Sequence, residues 1–427
     1  MENYGINISG YINKEFGLGE GVRSNIRSAA AAGIPFTIND FNLNISKHIS
    51  EASHYSTEKE NPFGINLIQI NFDLNRQLFS DTDHSYFKNK YNIAFWAWEL
   101  EEFPEEYRDC FEFFDEIWVP SNFSAEAVSR VSPVPVIKIM HSIAVEDCSN
   151  SRDVFGLPEN RFIFLGMFDY YSSIARKNPI GIIDAYEHAF GTNSTETLLV
   201  LKSSVSAEFP EEKQKIQNRI KSNKSIVLME EIMPRDKLYN LMNCCDCYVS
   251  LHRSEGFGLT IAEAMYLGKP VIATAYSANT EFMNINNSFP VKYKMKSVGD
   301  GYAFVGGKGQ WADPDTAHAA QLMKYTLENP GETSSIAHRG QSDIQKILDP
   351  ATTGARMKER IDFIYSNMLP AMGQKSSANE ALLRIENEAL QAKINTLKGY
   401  LPIRLKVAFK NVKNKVTGST RRYSWEE

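Results

Sequence analysis

The chain has 427 residues, 43% hydrophobic and 23% charged, values close to the average of globular proteins, so the sequence argues against a disordered or fibrous chain. No apolar run approaches the roughly 20 residues that span a bilayer, and the first residues lack the basic and apolar regions of a secretory signal, so we expect a cytoplasmic protein. The formal net charge of −6 argues against nucleic acid as a partner.

The first part of the chain alternates strand-like and helix-like segments. An apolar run at residues 5–10 leads into a glycine-rich stretch, and a predicted helix at 22–32 ends before Gly33 and Pro35. Ser121 or Asn122 is a candidate cap for a helix at 124–129. Further strand-like runs lie at 36–38, 66–70, 92–96, 116–119 and 134–140. Because these runs do not alternate strictly, they predict a parallel sheet covered on both faces.

A second series of the same kind follows a polar stretch at 146–160, which we interpret as a linker. Its strands are predicted at 162–168, 197–201, 226–229, 247–251 and 270–274, and its helices at 179–189, 211–221, 235–243 and 259–267. Three more helical segments follow at 323–328, 336–348 and 352–368. The pattern predicts an α/β protein with two doubly wound Rossmann-like domains, and a cleft between such domains is the expected ligand site.

These segments divide the chain into four predicted parts. Residues 1–148 form an acceptor-side N-terminal domain, and residues 149–345 form a C-terminal domain. Residues 346–372 are helices expected to pack back across the domains, and residues 373–427 form a helical, basic tail.

The tail differs from the body in charge. Residues 374–427 carry 11 Lys and Arg against 5 Asp and Glu, a net of +6, so the remaining residues carry −12. Apolar residues recur at heptad-like spacing from Leu383 to Leu401, which suggests self-association through residues 380–401. Basic and apolar residues interleave at 404–410, which suggests attachment of residues 390–422 to an anionic membrane surface. A solvated helical extension is the simpler interpretation of the same residues.

The five cysteines predict free thiols in a reducing compartment. Cys244, Cys245 and Cys247 are close in sequence, but no second Cys/His pair stands at zinc spacing, so we interpret them as buried thiols. Asp81 and Asp83 form an Asp-x-Asp pattern outside any strand–loop context. We therefore expect no metal site.

The most informative segment is residues 250–265, SLHRSEGFGLTIAEAM. It leaves a predicted strand, passes two glycines that permit close backbone approach, and enters a helix. The unpaired N–H groups at that helix start, around Leu259 and Thr260, would bind an anion such as a diphosphate. Glu255 and Glu263 flank the anion site and can accept hydrogen bonds from sugar hydroxyls.

This segment resembles the donor signature of the family 4 retaining glycosyltransferases, in which seven residues separate two glutamates, and GKPVIAT at 268–274 matches its usual continuation. EFGLGE at 15–20, with Arg23, resembles the family's N-terminal glycine loop. FWAWE at 95–99 and EIWVPS at 116–121 resemble a subgroup common in bacterial surface-polysaccharide clusters, which also has a Lys where Lys202 stands. RKNP at 176–179 resembles the basic pair that holds the donor phosphates. The resemblance covers roughly residues 5–365.

The resemblance implies the GT-B fold, with a nucleotide sugar on the C-terminal domain and the acceptor on the N-terminal domain. Glu263 would bind the donor ribose, and Glu255 would lie against the transferred sugar. Arg176 and Lys177 would neutralise the leaving diphosphate, which is the main catalytic demand of the reaction. The other donor-binding residues would be Gly17, Gly19, Lys202, His252, Arg253, Gly256, Phe257, Gly258, Leu259 and Thr260. The family generally needs no metal or cofactor.

Several residues near these motifs keep simpler interpretations. Many family members have an arginine where Asp169 stands, so the phosphate role is expected to rest on Arg176 and Lys177. His141 is more often a packed histidine than a base. One of Trp96 and Trp98 is expected in the core, and the other, with Glu99, is a candidate for the acceptor cleft.

The sequence thus predicts a cytoplasmic retaining hexosyltransferase, peripheral at the inner face of the plasma membrane. It would transfer mannose, from GDP-mannose in preference to a UDP-sugar, to a glycan or lipid-linked acceptor in surface polysaccharide synthesis. The alternative is a non-catalytic nucleotide-binding scaffold of a glycan-assembly complex. A dehydrogenase is disfavoured because the stretch from Gly17 to Val22 lacks the Gly-x-Gly-x-x-Gly spacing.

Overall fold

The computed structural model of the chain describes residues 3–41, 55–58, 60–145, 148–205, 207–299, 302, 307–372, 384–385, 387–393 and 395. Most of the predicted tail lies outside the described residues, and with it most of the segments 380–401 and 390–422 predicted to self-associate and to bind a membrane. The tail residues that are described are helical. In the described ranges, no helix is both long and apolar enough to cross a membrane.

The N-terminal domain is built on a parallel sheet of six strands in the order β2-β1-β3-β4-β5-β6. The strands are β1 (Ile6–Gly10), β2 (Phe36–Asp40), β3 (Ile65–Gln69), β4 (Tyr91–Phe95), β5 (Glu116–Val119) and β6 (Val136–Lys138). The helices are α1 (Gly17–Ala31), α2 (Asn75–Asp81) and α3 (Asn122–Ser129), with 3₁₀ turns at Phe72–Leu74, His84–Tyr86 and Glu105–Phe113. Every residue of β1, β3 and β4 is buried, which explains why these strands show no alternation of apolar and polar residues.

The C-terminal domain repeats this design with strand order β12-β11-β10-β7-β8-β9. The strands are β7 (Phe162–Phe168), β8 (Thr197–Ser203), β9 (Ile226–Glu230), β10 (Cys247–Ser250), β11 (Val271–Thr274) and β12 (Phe289–Val291). The helices are α4 (Ile174–Lys177), α5 (Pro179–Phe190), α6 (Pro210–Ile220), α7 (Arg235–Cys244), α8 (Leu259–Tyr266), α9 (Thr316–Glu328) and α10 (Pro330–Ile347), with 3₁₀ turns at Arg152–Phe155, Tyr170–Ser172 and Ala278–Glu281. The predicted pair of doubly wound domains is confirmed.

An antiparallel hairpin, β13 (Tyr293–Gly299) and β14 (Gly307–Pro314), connects the second sheet to α9. This hairpin was not predicted from the sequence, because five successive residues of β13 are exposed and do not form a half-buried strand face. Val298, Tyr302 and Trp311 from this region pack into an aromatic cluster of the N-terminal domain that includes Trp98. The hairpin therefore ties the two domains together.

Helix α11 (Pro350–Phe363) follows the second domain and lies against α1 of the first, continuing into a π-helical turn at Ile364–Met368 and a 3₁₀ turn at Leu369–Ala371. The approach is close, since a Cβ at Gly354 would stand 2.1 Å from the carbonyl oxygen of Ser28. Arg360 of α11 pairs with Glu116 of β5, whose side chain is fully buried.

Three local predictions need correction or completion. Helix α1 begins at Gly17 and not at residue 22, so the glycine-rich stretch forms its first turn. Ser121 is the residue that caps α3, accepting a hydrogen bond from the N–H of Ser124. Trp96 and Trp98 are both buried, so the expectation that one of them faces the cleft is wrong. Strand β4 ends at Phe95, and the alternation of side chains does not extend to either tryptophan.

Candidate active site

A cavity of about 1120 Å³ lies between the two domains. The N-terminal domain lines it with residues from the start of α1 and from the loops after β3 and β4, and the C-terminal domain lines it from the loops after β7, β9 and β10. These loops follow the carboxyl ends of parallel strands, where ligands of doubly wound folds bind.

The loop from β10 to α8 brings an uncapped helix start to this cavity. Gly258 precedes α8 with φ of +92°, in the left-handed region that glycine tolerates, and no side chain caps the helix. Hydrogen bonds from helix N–H groups to Gly258 begin only at Ile261. Leu259 and Thr260 line the cavity, so the positive end of the helix dipole faces it.

Glu255, Arg176 and Lys177 meet in the cavity wall. Glu255 Oε2 lies 3.2 Å from Arg176 Nη1, and its Oε1 lies 2.5 Å from Lys177 Nζ. Burial alone would raise the pKa of Glu255, but Lys177 and Arg176 lower it to about 2. Arg176 also pairs at 3.4 Å with Glu99 of the N-terminal domain. The carboxylate is therefore ionised at neutral pH and holds two cations at the cavity surface.

Between Glu263, the predicted ribose ligand, and the cavity lies Arg235, a residue that was not predicted from the sequence. Arg235 lines the cavity and forms ion pairs with Glu263 and, at 3.5 Å, with Glu20 of α1. The Glu263 side chain is 1% exposed and is not part of the cavity wall. Burial raises the pKa of Glu263, an effect that Arg235 opposes and Glu20 reinforces.

The other predicted donor-binding residues divide into two groups. Gly17, Lys202, Gly256, Phe257 and Gly258 line the cavity together with Leu259 and Thr260. Burial lowers the pKa of the Lys202 ammonium group, and the Arg235 charge lowers it further.

The second group, Gly19, His252 and Arg253, does not line the cavity. A Cβ at Gly19 would stand 2.1 Å from the carbonyl oxygen of Lys14, so this glycine is required for packing. His252 is fully buried and lies 3.1 Å from Asn279 Oδ1, and Arg253 pairs with Asp313. These two side chains tie the loop between β10 and α8 to Asn279 and Asp313, outside the cavity wall.

Two residues of the N-terminal domain that the sequence left undecided also lie in the cavity wall, His141 and Glu99. The His141 ring stacks on Phe95, with centroids 5.1 Å apart, and meets Phe257 edge-on at the same centroid separation. Burial lowers the pKa of His141 to about 4, so its ring is neutral at pH 7.

Arg235 is a cavity residue that was not predicted from the sequence. One feature of the sequence could have indicated it, since Arg235 follows the carboxyl end of β9, at the sheet edge where ligands bind.

Metal ligation finds no support in the described ranges, where no group of three His, Cys, Asp or Glu side chains is placed to hold an ion. Asp83 of the Asp-x-Asp pattern instead accepts a hydrogen bond from the N–H of Ser85.

Comparison with known proteins gives a partial family match. Residues 151–290 match the family model described as glycosyl transferases group 1. The matched range includes Arg176, Arg235 and Glu255. A search of curated protein sequences found no significant match.

Among solved structures, a sucrose-phosphate synthase from Thermosynechococcus elongatus superposes with a TM-score of 0.62 at 13% identity, covering 85% of this chain and 100% of that chain. Anabaena HepE in complex with UDP and glucose superposes with a TM-score of 0.60 at 15% identity, covering 84% and 100%. A glycosyltransferase from Rickettsia africae gives 0.59 at 15% identity, covering 86% and 100%. The chain thus has the GT-B fold that the resemblance implied, and its residues 151–290 carry the sequence pattern of the group 1 glycosyl transferases.

Proposed function

We propose that the protein is a retaining glycosyltransferase that moves a hexose from a nucleotide sugar to a glycan or lipid-linked acceptor. The observation that carries this proposal is the cluster of Glu255, Arg176 and Lys177 beside the uncapped start of α8, inside a cavity shared by both domains. A diphosphate in this place meets two cations and free backbone N–H groups, which is what a departing nucleoside diphosphate requires.

The chemistry of this chain follows from charge stabilisation. As the bond between the anomeric carbon and the phosphate oxygen breaks, negative charge grows on the diphosphate, and Arg176 and Lys177 are already fixed for it by Glu255. Because the side chains are held before the donor arrives, little reorganisation accompanies the charge movement. His141 is neutral at pH 7 and serves as a hydrogen-bonding neighbour of the sugar, not as a cation.

The donor and the acceptor are proposed from the subgroup resemblance, a similar fold and the residues of the cavity wall. The subgroup resemblance favours mannose from GDP-mannose. A UDP-sugar is the other candidate, and HepE, crystallised with UDP-glucose, supports it by similarity of fold. Glu99 and Asn71 line the cavity from the N-terminal domain and are the acceptor-side residues we propose. A role in surface polysaccharide synthesis at the inner face of the membrane follows from the subgroup resemblance and the basic tail.

A binding screen followed by rate measurement tests the proposal. UDP-, GDP- and ADP-sugars are added to the wild type and to Glu263→Ala, and the unfolding temperature is recorded. We expect one nucleotide class to stabilise the wild type and to stabilise Glu263→Ala less. If no nucleotide sugar stabilises the wild type, the proposal loses its basis.

Transfer is then measured with the stabilising donor, and the anomeric configuration of the product is read by NMR. Lys177→Met is expected to lower kcat by about 10²- to 10³-fold, the usual cost of losing one preorganised charge contact. Lys221→Met, an exposed lysine after α6, is the matched control and should match the wild type. Binding without transfer or donor hydrolysis would favour the scaffold, and an inverted product would exclude retention.

A further inference from the structure

Arg235 forms an ion pair across the two domains at the cavity wall, as the pair of Arg176 and Glu99 does elsewhere in the same wall. Its guanidinium pairs with Glu263 of α8 on one side and lies 3.5 Å from Glu20 of α1 on the other. Glu20 is in turn bound by Arg23 at 2.9 Å and Arg27 at 2.6 Å. The arrangement is a carboxylate from each domain with one guanidinium between them.

The two carboxylates are far less accessible than the guanidinium. The side chains of Glu20 and Glu263 are 4% and 1% exposed, whereas that of Arg235 is 21% exposed and lines the cavity. Arg235 Nη2 donates to the hydroxyl of Tyr239 at 2.7 Å, and the guanidinium lies over the Tyr239 ring, 4.7 Å from its centroid. The ring and the two carboxylates hold the guanidinium in a fixed orientation.

The guanidinium of Arg235 is held by protein groups while its side chain still lines the cavity. Its Nε lies toward Glu20 Oε2, 3.5 Å away, its Nη2 contacts Glu263 and Tyr239, and the side chain remains 21% exposed at the cavity wall. Lys202, whose charge interacts with that of Arg235, lines the same cavity.

We propose that Arg235 is a donor-binding residue that contacts the nucleoside diphosphate part of the donor, and that Glu20 and Glu263 act by fixing its guanidinium from the two domains. This inference rests on the proposed function and deepens it, since it assigns the nucleotide contact to a side chain held from both sides of the cleft. It follows that nucleotide affinity depends on Glu20, which belongs to the opposite domain. A planar guanidinium with several donors suits the oxygen atoms of ribose and phosphate.

Calorimetric titration of the full chain with UDP, GDP and ADP tests this assignment. For the nucleotide that the wild type binds, Arg235→Met is expected to lower the affinity by about ten- to a hundredfold, since charge-assisted hydrogen bonds are lost. Arg235→Lys keeps the charge without the planar fork and should recover only part of the affinity. Arg76→Met removes an exposed arginine that pairs with Asp109, and should bind as the wild type does.

A double-mutant cycle tests whether Glu20 acts by fixing Arg235 or contributes to nucleotide binding independently of it. Glu20→Gln alone should weaken binding severalfold, and it should have no further effect when Arg235 is already Met. Additive losses would overturn the fixing role, and unchanged affinity in Arg235→Met would overturn the assignment. Unfolding temperatures identify any variant that fails to fold. If Arg235→Met does so, the affinity of Arg235→Lys decides the assignment. If the wild type binds none of the three nucleotides, the proposed function fails and this inference fails with it.

Discussion

The hydroxyl of Ser121 donates a hydrogen bond to the carbonyl oxygen of Gly256 across a distance of 2.7 Å. Ser121 caps α3 in the N-terminal domain, and Gly256 lies in the loop between β10 and α8 of the C-terminal domain. The neighbouring Ser124 hydroxyl donates to the carbonyl oxygen of Trp98 at 2.8 Å. The Ser121 side chain of the N-terminal domain therefore holds the backbone of the loop between β10 and α8.

Gly256→Ala tests how closely the loop between β10 and α8 must approach the backbone of Trp98. A Cβ at this position would stand 3.0 Å from the carbonyl oxygen of Trp98 and 3.3 Å from its nitrogen, and backbone atoms yield less readily than side chains. We expect kcat/KM for transfer to fall about tenfold or more, because small displacements of catalytic groups are costly. The free energy of unfolding should fall by about 1–2 kcal/mol.

Gly331→Ala is the matched control for this change. Gly331 lies in α10 with open space around it, and alanine is the better helix former, so this variant should keep its activity and its stability. Wild-type transfer by Gly256→Ala would show that the cleft does not depend on this approach.

The two predicted loop glycines, Gly17 and Gly19, should respond differently to alanine. A methyl group at Gly19 would overlap the carbonyl oxygen of Lys14, so we expect Gly19→Ala to lower the free energy of unfolding by about 1–3 kcal/mol. Nothing stands within 4 Å of a Cβ at Gly17, where the methyl group would extend into the cavity wall. Gly17→Ala should therefore unfold like the wild type in urea while transferring sugar more slowly. Equal urea midpoints for the two variants would contradict this distinction.

The architecture of both domains could be predicted from sequence because its signals are local. Largely buried strands such as β7 are continuous apolar runs, and the two glycines Gly256 and Gly258 before a helix start are visible in a short segment. The grouping of Glu255 with Arg176 and Lys177 was implied by the family resemblance, and in the structure the loops that carry them leave neighbouring strands of one sheet.

The rest depends on contacts between distant segments. Arg235 meets Glu20 only because the two sheets face each other, and no local pattern marks either residue as half of a pair. The hairpin of β13 and β14 was missed because its stabilising side chains, such as Trp311, pack into the other domain and leave the exposed strand without alternation. The expectation that one of Trp96 and Trp98 faces the cleft was wrong because β4 ends before both residues.

Stability should depend on pH through His141. Burial lowers its pKa to about 4 from the ordinary value of 6.5, so between these values the unfolded chain binds a proton that the folded protein does not. Stability contributed by the neutral ring is present above pH 6.5 and falls as the pH drops toward 4. At pH 5 the loss amounts to about 2 kcal/mol.

His141→Gln should remove this part of the pH dependence, measured as the difference in the free energy of unfolding in urea between pH 7 and pH 5. His338→Gln, at an exposed position of α10, is the control and should keep the wild-type difference. The assignment is wrong if His141→Gln loses as much stability as the wild type over this interval.

The ion pair between Arg360 and Glu116 should be the polar contact that contributes most to holding α11 against the N-terminal domain. Glu116 is fully buried, and its carboxylate accepts hydrogen bonds from the indole of Trp118 at 2.6 Å and from Arg360 Nε at 2.9 Å. Arg360→Met removes the counter-charge and leaves a buried carboxylate, which usually costs about 3–5 kcal/mol. Adding Glu116→Gln should recover part of this loss, because the remaining group is then neutral. Lys358→Met breaks an exposed pair with Asp362, which solvent screens, and should unfold close to the wild type. Urea unfolding of the wild type and the three variants measures the differences, and equal losses for Arg360→Met and Lys358→Met would show that the buried ion pair does not hold α11 in place.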